Sequence, residues 1–156
     1  MTAKSLAAAQ YILDRANGAQ APSVTPMQLL KLVYIAHGYM LGQHGEPLLD
    51  EPVQAWRYGP VVPSVYRAVK SYRSAPVDVV PGALRWSFSP RETDIMERVV
   101  TRYGHFGGTV LSAATHRPGT PWSITWQQAE KNDSIADEVI EGFYQRLLSQ
   151  PTHSAL

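Results

Sequence analysis

The amino-acid sequence predicts a mainly α fold: one compact helical domain of about six helices around a buried central helix, with short β segments near 53–58 and 77–88. Three observations point there. The stretch from Met27 to Leu41 is apolar around nearly its full circumference, so other elements must surround it. Several other segments carry apolar residues at helical spacing. Ser-Pro and Thr-Pro pairs and isolated glycines punctuate those segments as helix starts and stops.

Residues 4–16 form the first expected helix, with Leu6, Ala9, Ile12, Leu13 and Ala16 on one side and Asn17-Gly18 as its stop. Thr25 is an N-cap, Pro26 stands in the first turn, and Gln28 occupies the capping-box position of a helix running to about His44. Gly38 and Gly42 each cost this helix about 1 kcal/mol relative to alanine, so a second backbone is expected to cross closely there. The segment after Gly45 is too rich in proline for a central strand, and Val53 to Tyr58 reads as a short edge strand or an irregular arm. Helix resumes near Pro63, where Val62, Val65, Tyr66 and Val69 give an apolar face and Arg67, Lys70 and Arg73 a basic one. Val77 to Val80 and Leu84 to Phe88 read as two short strands between prolines.

Ser89, Pro90 and Glu92 announce a helix with Ile95, Met96, Val99, Val100 and Tyr103 as its stripe. Gly107-Gly108 starts a shorter helix that ends at His116 before the break RPGTPW. Trp122 and Trp126, four apart, either share one face of a helical turn or wrap the core irregularly. Asp133 or Ser134 is expected to cap a terminal helix bearing Ile135, Val139, Ile140, Phe143, Tyr144 and Leu147. One domain over 1–150 is expected, with residues 151–156 a frayed tail.

Composition narrows the function classes. With 44% hydrophobic and 17% charged residues the chain reads as globular. It contains no apolar run near the roughly 18 residues of a membrane span. Zero cysteines exclude disulfides and thiolate metal sites and fit a reducing cytoplasm, the expected location. Net charge is only +1, yet Arg57, Arg67, Lys70, Arg73, Arg85 and Arg91 face a lone Asp78 between 57 and 91. Residues 130–141 hold Glu130, Asp133, Asp137, Glu138 and Glu141 against Lys131. The bland reading is two solvated faces of opposite sign; the functional one is an acidic partner.

No motif supports catalysis, so no enzyme, cofactor or metal is expected. The five histidines lack the paired helical spacing of a zinc protease, and there is no nucleophile elbow or phosphate-binding loop. His37 reads as a hydrogen-bonded core histidine, and His116 as a residue holding carbonyls freed by the prolines after it. Adjacent Asp50 and Glu51 read as caps of the turn before Pro52 rather than as an acid–base pair. A DNA-binding regulator using the basic 57–73 face is the competing class, followed by a histidine-dependent enzyme. A pI near 8 falls short of a nucleic-acid footprint.

The most distinctive stretch is 51–66, EPVQAWRYGPVVPSVY, where three prolines and Gly59 crowd among Trp56, Tyr58 and Tyr66. With the preceding helix it resembles the Panacea-domain proteins, which include SocA-like antitoxins and phage-associated GepA-like proteins. The resemblance rests on Lys31, Leu32, Tyr34, Ala36, His37 and Gly38, then on Pro47-Leu48, Glu51, Pro52, Ala55, Trp56, Tyr58 to Pro63 and Tyr66. Tyr103-Gly104, Thr115-His116 and Gly119 to Trp122 extend it, so that residues 5–147 are covered. After the Pro-Trp pair, where other members carry basic residues, this chain has Ser123-Ile124-Thr125-Trp126.

The resemblance implies an antitoxin that binds and neutralises a cognate toxin. In the SocA-like branch it implies an adaptor handing its toxin to the ClpXP protease, with the sliding clamp reached only through the toxin. The expected partner-binding residues are Trp56, Arg57, Tyr58, Tyr66, Arg67 and Lys70, aromatics as anchors and cations at the rim. Trp56 and Tyr58 have a structural alternative, stapling the elbow to the central helix.

Overall fold

A computed structural model describes residues 3–128 and 132–150. Seven α-helices lie among them: α1 (Ala3–Asn17), α2 (Pro26–His44), α3 (Pro63–Val69), α4 (Pro90–Tyr103), α5 (Gly108–Thr115), α6 (Pro121–Gln128) and α7 (Asp137–Ser149). A short 3-10 turn, Lys70–Tyr72, extends α3. Three short strands complete the set: β1 (Val53–Trp56), β2 (Gly59–Val61) and β3 (Ser134–Ile135). The tail expected to fray, 151–156, lies outside the described residues, as do Glu130 and Lys131 of the acidic stretch.

Helix α2 is the axis. Every residue from Gln28 to Leu41 is buried, and α1, α4, α5 and α7 pack around it. The close crossing expected at Gly38 and Gly42 is made by α7. A Cβ at Gly42 would lie 2.8 Å from the Tyr144 carbonyl carbon, and one at Gly38 would meet the Tyr144 ring. Aromatic side chains tie three helices together here. The Tyr39 and Tyr103 hydroxyls share a 2.6 Å hydrogen bond, and the Tyr34 and Tyr144 rings meet edge to face at 6.1 Å.

The cap at Thr25 holds, since its Oγ1 accepts from the Gln28 amide at 3.3 Å. The reciprocal half of that box does not form. The Gln28 carboxamide instead donates to the carbonyls of Gly104 and Phe106 at 2.9 and 3.0 Å, tying α2 to the end of α4. The box at Ser89 and Glu92 is complete.

Three local expectations fail, each because of a partner distant in sequence. Residues 77–88 form no strand: Val77 and Val80 are buried, but their amides donate to the Val24 carbonyl and the Gln10 side chain. Pro76 and Pro81 remove donors that a ladder would need. The last helix begins at Asp137 with Ala136 at its N-cap, not at Asp133 or Ser134. Residues 132–135 are drawn into the sheet, where Asn132 and Asp133 pair with the Ala55 backbone. That pairing makes β1 the middle strand, in the order β2-β1-β3, rather than an edge. β1 tolerates the centre because Pro52 precedes it and Pro60 lies on the outer strand β2.

Candidate functional site

The elbow is built from consecutive anchors on three helices. The buried His37 ring of α2 accepts the Leu48 and Leu49 amides at Nδ1, at 3.2 and 3.3 Å. Its proton therefore sits on Nε2, which donates to Asp137 of α7 at 3.0 Å. Asp50 receives the Lys4 and Ser5 amides at 3.1 Å and caps α1. Burial pushes its carboxyl upward, but hydrogen bonds from the Ser5 hydroxyl and these amides outweigh that and hold it below the usual range. Glu51 accepts the Ser64 amide at 3.0 Å and the Ser64 hydroxyl, and caps α3. Each of the adjacent carboxylates is thus a cap, but of a distant helix rather than of its own turn.

The chain then makes the β1–β2 hairpin, with Arg57 and Tyr58 as its two-residue turn and Trp56 paired to Gly59. Gly59 has φ +121°, a conformation that favours glycine, and a Cβ there would press on the Lys31 ammonium at 3.0 Å. Trp56 is half-buried. It meets the Tyr66 ring edge-on at 4.9 Å, and its indole N–H donates to Gln54 at 2.8 Å. Its carbonyl accepts the indole N–H of Trp122, which stacks on Trp126 within α6. Tyr58 is 65% exposed, with Arg57 over its ring at 5.4 Å.

Between the hairpin, the start of α2 and α3 lies a groove of about 520 Å³. Trp56, Arg57, Tyr58, Tyr66 and Lys70 all line it. Arg67 is exposed on α3 but does not line it. Two lining cations fall outside the expected site residues, Arg73 and Lys31. Lys31 has a signal in the sequence, because it is the one charged residue within the apolar run of α2. Only 3% exposed, it donates to the carbonyls of Pro60 at 3.0 Å and Tyr58 at 3.5 Å. Burial lowers its pKa from 10.5 to about 8.

That depression has a testable sign. Below about pH 8 Lys31 is charged in both folded and unfolded chains; between about 8 and 10.5 only the unfolded chain keeps the proton, so stability rises with pH across this window. At about 1.4 kcal/mol per pH unit the full rise is roughly 3 kcal/mol. Urea unfolding between about pH 7.5 and 9.5, below the ordinary titration of tyrosine, should show the rise in the native chain and lose it in Lys31→Met. Equal slopes in the two proteins would refute it.

His116 is half-buried, edge-on to Trp122 at 5.2 Å, with Nδ1 against the Ser112 carbonyl in the last turn of α5. Among the described residues no three His, Asp or Glu side chains are grouped so as to hold a metal ion, and no helix is long and apolar enough to cross a membrane.

A family model described as "Antitoxin SocA-like, Panacea domain" matches residues 29–123, from the first turn of α2 through the elbow to α6. The chain belongs to this family. Antitoxin SocA of Caulobacter vibrioides (strain NA1000 / CB15N) is 34% identical over 128 residues, which covers 76% of this chain and 68% of that protein. No solved structure matches the chain. The SocA-like match includes the whole elbow, from Leu48 to Ser64, and Lys31 with it.

Proposed function

We propose that this chain is an antitoxin that binds a cognate toxin and neutralises it by direct contact, using the groove beside the hairpin. The observation that carries the reading is the overlap of the family match with the groove: nine of the twelve lining residues, from α2, the hairpin, α3 and the turn after it, fall within residues 29–123. Trp56 and Tyr66 offer a rigid apolar wall, and Arg57 and Lys70 stand at its rim, the usual division between anchor and steering residues.

A second surface favours the finer reading of an adaptor that delivers its toxin to a ClpXP-type protease. Leu84, Trp86 and Val79 are exposed on the irregular segment after α3, and the hollow they border shares no lining residue with the groove. An adaptor needs two such faces, one for cargo and one for the unfoldase.

The test is co-expression with a toxin encoded beside this chain. Arg57→Glu/Lys70→Glu should abolish rescue and weaken toxin binding by roughly tenfold or more, with unfolding midpoints nearly unchanged, whereas Arg67→Glu should leave rescue intact. Full rescue by the double variant would remove the groove from consideration. For the adaptor, toxin should disappear in the presence of the protease while this chain is spared. Leu84→Ser/Trp86→Ser should stop that loss without releasing the toxin.

A further inference from the structure

Lys31 lacks what a buried charge normally has. An ammonium has three N–H donors, and the groups that receive them here are the neutral carbonyls of Pro60 and Tyr58. No carboxylate among the described residues lies within ion-pair distance of it. Buried charges are ordinarily paired, because desolvation costs several kcal/mol that only an opposite charge offsets. The groove around it repeats the imbalance. Lys31, Arg57, Lys70 and Arg73 line it, and among the described residues no Asp or Glu does. Its remaining wall is apolar, chiefly Met27, Leu30, Trp56, Val61 and Tyr66.

Building on the antitoxin reading, we propose that the groove receives an acidic segment of the partner protein. One Asp or Glu carboxylate completes the Lys31 ammonium, and a neighbouring bulky apolar side chain lies against Trp56 and Tyr66. The volume, about 520 Å³, suits one or two side chains of an extended segment rather than a docked helix. A nucleic acid fits less well. It presents a regular row of phosphates to an extended basic surface, whereas here the four cations ring one apolar groove and net charge is only +1. An anion beside Lys31 would also restore its affinity for a proton, so that occupancy near pH 8.5 draws in a proton from solvent.

A phage library of random dodecapeptides, panned against the full chain, tests this whatever the identity of the toxin. The selected peptides should be enriched in Asp or Glu adjacent to Phe, Trp or Leu. Their affinity should fall roughly tenfold or more in Lys31→Met, as expected for loss of a charged hydrogen bond, and likewise in Lys70→Ser/Arg73→Ser, a surface pair not expected to disturb folding. Calorimetry near pH 8.5 in two buffers of different ionisation enthalpy should report proton uptake.

Recovery of no peptide, enrichment without acidic residues, equal binding by the variants, or preferential binding of a random single-stranded oligonucleotide would each overturn the proposal. Failure here is separable from failure of the antitoxin reading. If groove variants lose toxin rescue while peptides show no acidic preference, the occupant's chemistry is wrong and the function stands. If acidic peptides bind but groove variants still rescue, the groove is not the toxin's site.

Discussion

Gly38→Ala and Gly42→Ala are each expected to destabilise the protein by about 3 kcal/mol, although alanine is favoured over glycine by about 1 kcal/mol in a helix interior. The reason is the crossing of α7. At position 42 a methyl carbon would lie 2.8 Å from the Tyr144 carbonyl carbon and 2.9 Å from the Gln145 amide nitrogen, so the whole of α7 would have to shift. At position 38 the obstacle is the Tyr144 ring, itself fully buried between Tyr34 and Tyr39. Urea unfolding should show lower midpoints with unchanged slopes. The two sites are distinguished by a second change: Tyr144→Leu should relieve most of the penalty of Gly38→Ala and little of that of Gly42→Ala, because backbone remains in the way. Equal relief at both would show that the ring alone sets the spacing.

That glycine pair illustrates what the chain makes legible. A helix apolar on all sides must be central, and two glycines four apart within it have a use only where something approaches closely. The Ser89 box, the helix start at Gly107 and the buried His37 are legible for the same reason: each is satisfied by local geometry or by the general demand that buried polar groups be paired. What cannot be read depends on partners distant in sequence. Gln28 has the right spacing for a capping box, yet two carbonyls at the end of α4 compete for its carboxamide and win. Val77 to Val80 has β propensity but no strand to pair with, while Ser134-Ile135, only two residues long, pairs with β1. Asp50 and Glu51 look like a local cap because they adjoin a proline; the helix amides they accept lie 46 residues earlier and 13 later.

The candidate site divides along the same line. Its aromatic residues and surface cations stand out in the sequence because prolines and tryptophan crowd the elbow, and five of the six expected residues do line one groove. A three-residue spacing groups Arg67 with Lys70, but the side chains on the groove side are Tyr66 of α3 and Lys70 of the turn that extends it. Lys31 is masked by its surroundings. It reads as one polar position in a core helix until the hairpin carbonyls and the absence of any acidic lining residue among the described residues are seen together.

His37→Ala should be at least as damaging as the glycine changes, and it should damage the groove first. The substitution strands the buried Leu48 and Leu49 amides without an acceptor, at about 1–3 kcal/mol for an unsatisfied buried donor, and leaves a cavity where the ring was. It also cuts the hydrogen bond to Asp137 that holds α7 against α2. Residues 48–51 are fixed in succession to α2, α1 and α3, so releasing the first anchor frees the segment that leads directly into β1 and the hairpin turn. Hydrogen exchange should therefore show the Leu48 and Leu49 amides losing protection, followed by those of β1, under conditions where the amides of α4 remain protected. Binding to the partner should fall in the same conditions, before global unfolding sets in. Leu48 and Leu49 amides that stayed protected, with binding retained, would mean that Asp50 and Glu51 suffice to hold the elbow and that His37 serves only to fill the core.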